Sequence, residues 1–250
     1  MQRFFLPADA IKQDTVSFPP AIAHQIRHVL RLNEGMQVQV LDGQGALLSV
    51  SLLPEVGGRL EGRILERTYP DSEPTIQFSL CVSLTQREKF ELILQKAVEV
   101  GVSFIQPFVS RYSLVREKTI QPKRRLRWEG ILREAAEQSG RILIPKLHEV
   151  AILPRVIEQC AAESDLCLAA WEGEHTATLQ QVLLEAQEKK TLRRIALFIG
   201  PEGGFAQQEM DFFQQHAVLS VSLGRRILRM ETAAMVAPAL VLYELGQMEL

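Results

Sequence analysis

The spacing of apolar and polar positions changes near residue 70, which divides the chain into two parts of different texture. Before that point, short runs alternate between apolar and polar residues, and glycine-containing turns separate them. This pattern is typical of antiparallel strands joined by tight turns. The predicted strands cover residues 38–41, 46–53 and 60–65, and a helix is predicted over 24–31. Short strands at this spacing favour a small β-barrel over residues 1–70.

From residue 75 onward, apolar runs alternate with segments of helical periodicity, after a linker at Tyr69–Pro74. Strands are predicted at 76–84, 104–109, 166–171, 195–199 and 219–223. Helices are predicted before the cap at Gly101, before Gly140, and around Pro238, which should bend the last helix. The alternation predicts an α/β domain with a mostly parallel sheet over residues 75–250. Spacing alone favours a Rossmann-like strand order, with ligands outside the carboxyl ends of the strands.

Composition narrows the function without deciding it. The net charge of −2 excludes a histone-like nucleic-acid binder but allows a local basic face. No apolar stretch approaches the roughly 18–20 residues of a membrane helix, so we expect a cytoplasmic protein with no membrane partner. The three cysteines form no C-x-x-C pair, and His24 and His28 have no evident third ligand. We therefore expect buried thiols and no metal.

Two glycine-containing segments carry the strongest functional signal. Leu197–Phe205 is an apolar run that ends in Gly-Pro-Glu-Gly-Gly, and Leu223–Ala233 places Glu231 and Thr232 before a long apolar segment. Glycines let the main chain approach a ligand closely, and helix N-termini offer free N–H groups. Neither segment matches a dinucleotide or P-loop motif. Each alone reads as a strand-to-helix turn, but the two together can line a small-molecule pocket.

Motifs spread over most of the chain resemble those of one family of RNA-modifying enzymes. They are Arg3-Phe-Phe5, His28–Leu32 with Gly35, Lys96–Gly101, Glu134–Arg141 with Pro145, Gly200–Gly204, and Leu223–Ala233. In this order and spacing they resemble the RsmE family of SPOUT methyltransferases, which methylates N3 of uridine 1498 in 16S ribosomal RNA.

The resemblance implies a PUA-like β-barrel that binds RNA, followed by a SPOUT domain with a deep trefoil knot. It implies S-adenosylmethionine held in a bent shape by the knotted loops, with S-adenosylhomocysteine as the product. It also implies a homodimer with the active site near the subunit interface. The substrate would be 16S ribosomal RNA within the small ribosomal subunit.

The resemblance also assigns residues to the cofactor and to the chemistry. The expected cofactor-binding residues are Leu168, Ile199, Gly200, Pro201, Glu202, Gly203, Gly204, Leu223, Gly224, Ile227, Leu228, Arg229, Thr232 and Ala233. The expected catalytic residues are Arg229, Glu231 and Glu202, with Arg229 as the cation that stabilises a uracil anion. Structural roles stay open beside these: a salt bridge from Arg229 to Glu231 or Glu202, or helix capping by Glu231 or Thr232.

Basic residues in both parts of the chain are candidates for RNA contact. The expected residues are Arg3, Arg27, Arg31, Lys96, Arg111, Lys123, Arg124 and Arg141, with Lys118, Arg125 and Arg127 beside the basic run. A solvated helix face is the ordinary interpretation of that run. Two positions depart from the family pattern, because Ser110-Arg111-Tyr112-Ser113 replaces Glu-Arg-Ser and Gln86 stands where many members have lysine.

Three functions remain open at this point. The first is a uridine N3-methyltransferase that acts on 16S ribosomal RNA, and the second is a SPOUT enzyme for another RNA, such as tRNA ribose. The third is a non-catalytic RNA-binding assembly factor. Intact glycine loops disfavour the third, and the position of the methyl group separates the first two.

Overall fold

The chain forms two compact units in a computed structural model, which describes residues 1–117, 119–189 and 191–249. Residues 1–73 and 133–144 form the first unit, and residues 74–132 and 145–250 form the second. The first switch between units follows Glu73, inside the stretch predicted as a linker. The contribution of residues 133–144 to the first unit has no counterpart in the sequence prediction.

The first unit contains a five-stranded sheet with the order β1-β3-β4-β5-β2. Its elements are β1 (Arg3–Phe5), β2 (Thr15–Ser17), α1 (Pro20–His24), β3 (Gln37–Leu41), β4 (Leu47–Leu52) and β5 (Glu61–Thr68). The β1 strand is parallel to β3, and the other neighbouring strands are antiparallel. Among the described residues β1 and β2 form the two edges, so the pairing shows a sheet, and the closed barrel stays a prediction.

Alternating burial and a tight turn explain the central hairpin of this sheet. Leu48, Val50 and Leu52 are buried on one face of β4, as the alternating pattern predicts. Asp42 Oδ1 accepts hydrogen bonds from the N–H groups of Gln44 (2.7 Å) and Ala46 (2.9 Å), which closes the turn. The helix predicted over 24–31 begins earlier, because α1 starts at Pro20 and continues as a π-helical turn over Gln25–Val29.

The segment 133–144 is attached to the first unit by specific polar contacts. Glu137 Oε1 accepts a hydrogen bond from the Phe5 N–H at 2.9 Å. Arg141 donates to Glu73 Oε2 at 2.6 Å, and Glu73 Oε1 accepts from the Ile142 N–H at 3.0 Å. The Arg141–Glu73 pair is largely buried and hydrogen-bonded on several sides, as a buried ion pair requires.

The second unit is built on a parallel sheet with the order β12-β10-β11-β6-β7-β8, in which β9 also pairs with β7. The strands are β6 (Gln77–Ser83), β7 (Phe104–Val109), β8 (Lys146–Leu147), β9 (Ala151–Ile152), β10 (Leu166–Ala170), β11 (Arg194–Ile199) and β12 (Leu219–Val221). The predicted α/β class is confirmed. The Rossmann-like order is wrong, because β11 rather than β10 lies beside β6, and β10 lies between β11 and β12.

Helices cover both faces of this sheet. They are α2 (Arg87–Val100), α3 (Pro122–Ser139, whose end belongs to the first unit), α4 (Leu153–Glu163), α5 (Leu179–Lys189), α6 (Gln207–Gln215) and α7 (Met230–Glu244). The α7 helix packs against α2 and α5, whereas α4 packs against α6. Gly101 ends α2 at a φ of +104°, as predicted, and α7 continues through the buried Pro238. Within the described residues, no helix has the length and apolar character to span a bilayer.

Candidate functional site

Both glycine-containing segments lie at the carboxyl edge of the parallel sheet. The strands β12, β10 and β11 are consecutive neighbours and run in one direction, so their carboxyl ends lie side by side. The loop Gly200–Gly204 follows β11, and the loop 222–229 connects β12 to α7. The predicted location of the two segments is therefore confirmed, and this edge is the usual position for ligands in parallel sheets.

Close packing explains why the first loop is rich in glycine. A Cβ atom at Gly203 would lie 3.0 Å from Tyr112 Cβ, and one at Gly200 would lie 3.1 Å from the ring of Phe205. Gly204 has a φ of +70°, and a side chain there would collide with the Glu172 carboxylate. The loop thus depends on glycine both for its conformation and for its contacts with neighbouring segments.

A cluster of polar side chains joins this loop to other elements of the unit. Thr85, which is buried just beyond β6, donates a hydrogen bond from its hydroxyl to Glu202 Oε1 at 2.6 Å. Lys89 Nζ lies 3.2 Å from the same oxygen and 3.5 Å from Glu231 Oε2. Two of the predicted catalytic residues are therefore held together through a lysine.

The charges of this cluster support one another. The hydrogen bond to Glu202 raises the pKa of Lys89, and the nearby carboxylate of Glu231 adds to the effect. Partial burial opposes the charged form of Glu202, but hydrogen bonds from Thr85 and Lys89 outweigh it and lower the pKa of Glu202. Both shifts favour the charged forms, the ammonium of Lys89 and the carboxylate of Glu202.

The start of α7 contains Arg229, Glu231 and Thr232. The structure contradicts the two structural roles left open for them, a salt bridge from Arg229 and helix capping by Glu231 or Thr232. Arg229 is the residue that precedes the helix, and its side chain forms no capping hydrogen bond. Glu231 and Thr232 lie inside the first turn, so the capping interpretation for them is wrong. Arg229 is exposed and, among the described residues, forms no ion pair with Glu231 or Glu202, and both carboxylates lie near Lys89 instead.

Most of the remaining residues assigned to the cofactor lie at the same edge, whereas Leu168 is buried in the middle of β10. Ile199, Pro201 and Ala233 are buried beneath the edge, and Leu223 and Leu228 are half-buried. Ile227 is 86% exposed, an unusual state for a large apolar side chain, and open space surrounds Gly224 at a φ of +112°. Uncovered apolar side chains beside a glycine backbone fit the adenosyl group of S-adenosylmethionine, which needs apolar contact and backbone hydrogen bonds.

The RNA candidates of the first unit differ in their availability. Arg31 is exposed, at a φ of +55°. Arg3 donates to Gln39 at 2.8 Å, and Arg27 lies 3.6 Å from Glu55. Arg141 is buried against Glu73, so its guanidinium is not presented at the surface.

The RNA candidates of the second unit are mostly engaged in ion pairs. Lys123 is exposed, whereas Arg124 binds Glu117 at 2.7 Å and lies over the Trp128 ring. Arg111 is exposed and donates to Gln208 at 2.8 Å. The other pairs are Lys96 with Glu99, Arg125 with Glu129 and Glu149, and Arg127 with Glu91. Lys118 lies outside the described residues.

The sequence prediction missed Thr85 and Lys89, which complete the polar cluster. The signal was weak, because both are common residue types and neither lies in a glycine motif. The departure at Gln86 pointed to the correct neighbourhood. Lys89, one helical turn beyond Gln86, is the lysine whose ammonium reaches the carboxylates.

Comparison with known proteins supplies the family. A family model described as an RNA methyltransferase domain matches residues 71–242. Ribosomal RNA small subunit methyltransferase E of a Synechocystis species is 31% identical over 95% of this chain and 76% of its own length. The protein of the same name from Bacillus subtilis is 29% identical over 98% of this chain and 97% of its own.

Solved structures agree with the sequence matches. Ribosomal RNA small subunit methyltransferase E of Neisseria gonorrhoeae, bound to S-adenosylmethionine, has a TM-score of 0.85, 29% identity and coverage of 97% of both chains. A Legionella pneumophila methyltransferase with the same bound cofactor has a TM-score of 0.83, 26% identity and coverage of 96% of both chains.

The α/β fold and the matched family model define the class, since the domain is that of an RNA methyltransferase. Within this class the chain belongs to the family of ribosomal RNA small subunit methyltransferase E. The resemblance drawn from the motifs is thereby confirmed.

Proposed function

We propose that this protein is an S-adenosylmethionine-dependent methyltransferase that modifies N3 of uridine 1498 in 16S ribosomal RNA. The observation that carries the proposal is the convergence of the two glycine-containing loops at the carboxyl edge of the parallel sheet. Relatives that match along nearly the whole chain have the corresponding name, and two structural relatives bind S-adenosylmethionine at 26–29% identity.

The cofactor supplies an electrophilic methyl group on a sulfonium, and S-adenosylhomocysteine is what remains. The backbone of Gly200–Gly204 and Gly224 would hold its polar groups, and Ile227 and Leu228 would cover its adenine. Thr232 and Ala233 would close the site from the first turn of α7. These roles are consistent with the exposure of Ile227 and the open space around Gly224.

Methylation of N3 requires loss of its proton and alignment of the nitrogen with the methyl group. Bringing two bound partners together can lower the barrier by roughly 7–11 kcal/mol at best. Arg229 is exposed at the mouth of the site and has no carboxylate partner among the described residues. It is therefore available to stabilise negative charge as that charge develops on the uracil. Glu202 and Glu231 hold the loops around it.

Three architectural features belong to the same proposal. The first unit is a PUA-like barrel for RNA (residues 1–70), and the second is a SPOUT domain (75–250) with a deep trefoil knot. The placement of β10 between β11 and β12 is compatible with a chain that passes through an earlier loop. The third feature is a homodimer, which the exposed apolar side chains of Val236, Leu240 and Tyr243 on α7 support.

RNA contact is proposed for the exposed cations. These are Arg31 in the first unit and Arg111 and Lys123 in the second. Arg3, Arg27, Lys96 and Arg124 could join them by exchanging a protein carboxylate or amide for a phosphate. The buried pairing of Arg141 favours a structural role for that residue. The modification would take place in the cytoplasm, on the small ribosomal subunit.

A methyl-transfer assay tests the proposed function. Purified protein is incubated with labelled S-adenosylmethionine and with small subunits from a strain that lacks this modification, and digested RNA is analysed by mass spectrometry. We expect labelled 3-methyluridine at one 16S position. Label on tRNA ribose would contradict the substrate assignment. Cofactor binding without transfer to any RNA would favour a non-catalytic assembly factor.

A further inference from the structure

The two loops of the cofactor site are not joined by strand pairing. The loop that contains Glu202 follows β11, whereas Glu231 lies in the first turn of α7, beyond β12. In the sheet, β10 separates β11 from β12. The α7 helix packs against α2 and β11, so a side chain on α2 can reach both loops.

One side chain from a third element reaches both loops. Lys89 belongs to the first turn of α2, close to the carboxyl end of β6. Its Nζ lies 3.2 Å from Glu202 Oε1 and 3.5 Å from Glu231 Oε2. Thr85 fixes the same oxygen of Glu202 with a 2.6 Å hydrogen bond. Lys89 thus contacts one carboxylate from each loop, and Thr85 links the Glu202 carboxylate to the end of β6.

The electrostatics make this contact specific. Without the ammonium, the carboxylates of Glu202 and Glu231 would repel each other across a partly enclosed site. The side chains of Lys89, Glu202 and Glu231 are 34%, 25% and 16% exposed, so solvent screens them only in part. Glu231 Oε2 is buried and accepts no hydrogen bond within the described part of the chain. That oxygen therefore faces Lys89 and cannot meet RNA in this arrangement.

We propose that Lys89 is a positioning residue, which binds Glu202 and Glu231 together and thereby sets the separation of the two cofactor loops. The inference rests on the proposed function, because it assigns a role within the same site. It differs from a catalytic role, since Lys89 would act on the cofactor only through the two loops.

The chain offers a matched control for this lysine. Arg87 lies two residues earlier, at the start of the same helix. It is 62% exposed and pairs with Glu91 on the helix surface. Replacing it removes one positive charge from the same turn and leaves the contacts to Glu202 and Glu231 intact.

The first experiment measures S-adenosylmethionine affinity by calorimetry for the wild type, Lys89→Met, Lys89→Arg and Arg87→Met. We expect Lys89→Met to weaken binding by about tenfold and Lys89→Arg to recover most of the loss. Arg87→Met should bind like the wild type. In turnover assays the KM for the cofactor should rise in Lys89→Met, with kcat at saturation changed by less than about threefold.

A second experiment tests whether Glu202 and Glu231 are energetically coupled through Lys89. Glu202→Gln and Glu231→Gln are introduced singly and together, in the wild-type and the Lys89→Met backgrounds. Cofactor affinity is measured for each variant. We expect the two substitutions to be non-additive in the wild type, by about fivefold or more. In Lys89→Met, where the two carboxylates repel each other, either substitution alone should recover part of the lost affinity. Circular dichroism and melting of every variant show whether it is folded.

Each remaining outcome has a defined meaning. Wild-type affinity in folded Lys89→Met, or additive effects in the wild type, would overturn the inference. A fall in kcat at unchanged affinity would also overturn it, because Lys89 would then act in the chemistry. If the wild type binds the cofactor with the expected coupling but methylates no 16S RNA, the inference stands and the proposed substrate fails.

Discussion

At the scale of single residues, two positively charged side chains near the start of α7 have different tasks. Lys89 is enclosed by carboxylates, whereas Arg229 is exposed and has no partner among the described residues. A cation already neutralised by Glu202 and Glu231 has little field left for a substrate. An unpaired guanidinium at the mouth of the site retains its field and can respond to a developing uracil anion.

The first prediction concerns this arginine. Arg229→Ala should lower kcat by roughly 10²–10³-fold and leave the affinity for S-adenosylmethionine nearly unchanged, because the interaction is made in the transition state. Single-turnover methylation and calorimetry check the two parts. Arg226→Ala, an exposed arginine on the same loop, is the control and should keep wild-type activity. Full turnover in Arg229→Ala would remove this arginine from the chemistry.

Gly204 provides a second prediction, on stability. Its φ of +70° disfavours any side chain, and Glu172 would have to move, so Gly204→Ala should lower the free energy of unfolding by about 1–2 kcal/mol. Cofactor affinity should fall with it. Gly130→Ala is the matched control, since Gly130 lies within α3 with open space around it. That variant should gain about 0.5–1 kcal/mol. Urea denaturation compares them, and equal effects would contradict the strain argument.

At the scale of elements, α7 combines two surfaces. Ala233, Ala237 and Val241 are buried against the rest of the unit, while Leu240 and Tyr243 are exposed on the other side. A helix that is apolar all round usually has a partner on each face. The exposed face is therefore the one that we assign to the second copy in the proposed homodimer.

The third prediction tests that surface. Leu240→Glu should convert the dimer into a monomer, because a carboxylate would lose its hydration at the contact. Sedimentation velocity measures the mass in solution. Tyr69→Glu, which changes an exposed aromatic residue outside α7, serves as the control and should leave the mass unchanged. A dimer that survives Leu240→Glu would place the interface elsewhere.

The sequence predicted regular elements well where one periodicity dominated. The strand 104–109 was placed correctly at both ends, and Gly101 was recognised as the end of α2. The short strands β1, β2, β8 and β9 were not predicted as strands, because their two or three residues establish no period. The equally short β12 was predicted because the alternation of apolar and polar residues extends over 219–223. The start of α1 was placed too late, since Pro20 begins the helix without any apolar stripe.

The candidate site was predictable only in part, for a physical reason. Glycines and prolines constrain the local backbone, so the loops at Gly200–Gly204 and Gly224 are visible in the sequence. The contact of Lys89 with Glu202 and Glu231 joins residues more than a hundred positions apart and depends on strand order. Periodicity carries no information about that order, so this part of the site required the structure.

At the scale of the whole molecule, two carboxylates couple stability to pH. A hydrogen bond from Ser220, followed by those from Thr176, lowers the pKa of Glu174 from 4.5 to about 2. Arg127 and then Arg87 lower the pKa of Glu91 to about 2, against the opposing effect of its partial burial. Because the pKa values are lowered in the folded state, both carboxylates stabilise the fold above about pH 4.5. They lose this contribution as the pH falls towards 2.

The fourth prediction follows from the lowered pKa of Glu174. Glu174→Gln should lower the melting temperature at pH 6, and its melting temperature should fall less steeply than the wild type's between pH 4.5 and 2. The remaining slope would come in part from Glu91. Calorimetric scans across this range measure both effects. Glu66→Gln, at an exposed carboxylate, is the control and should follow the wild-type curve. Parallel curves for Glu174→Gln and the wild type would contradict the prediction.

The order of strands in the second unit also bears on how the chain reaches its fold. The central strand β6 pairs with β11, so that Gln77 meets Arg194, and β10 joins the sheet through β11, with β12 at the edge beyond it. Such distant pairings require closure of long loops before any contact compensates for the lost entropy. During synthesis, β6 therefore remains an open edge until β11 has left the ribosome. We expect slow folding in this unit, with β6 exposed to aggregation during that interval.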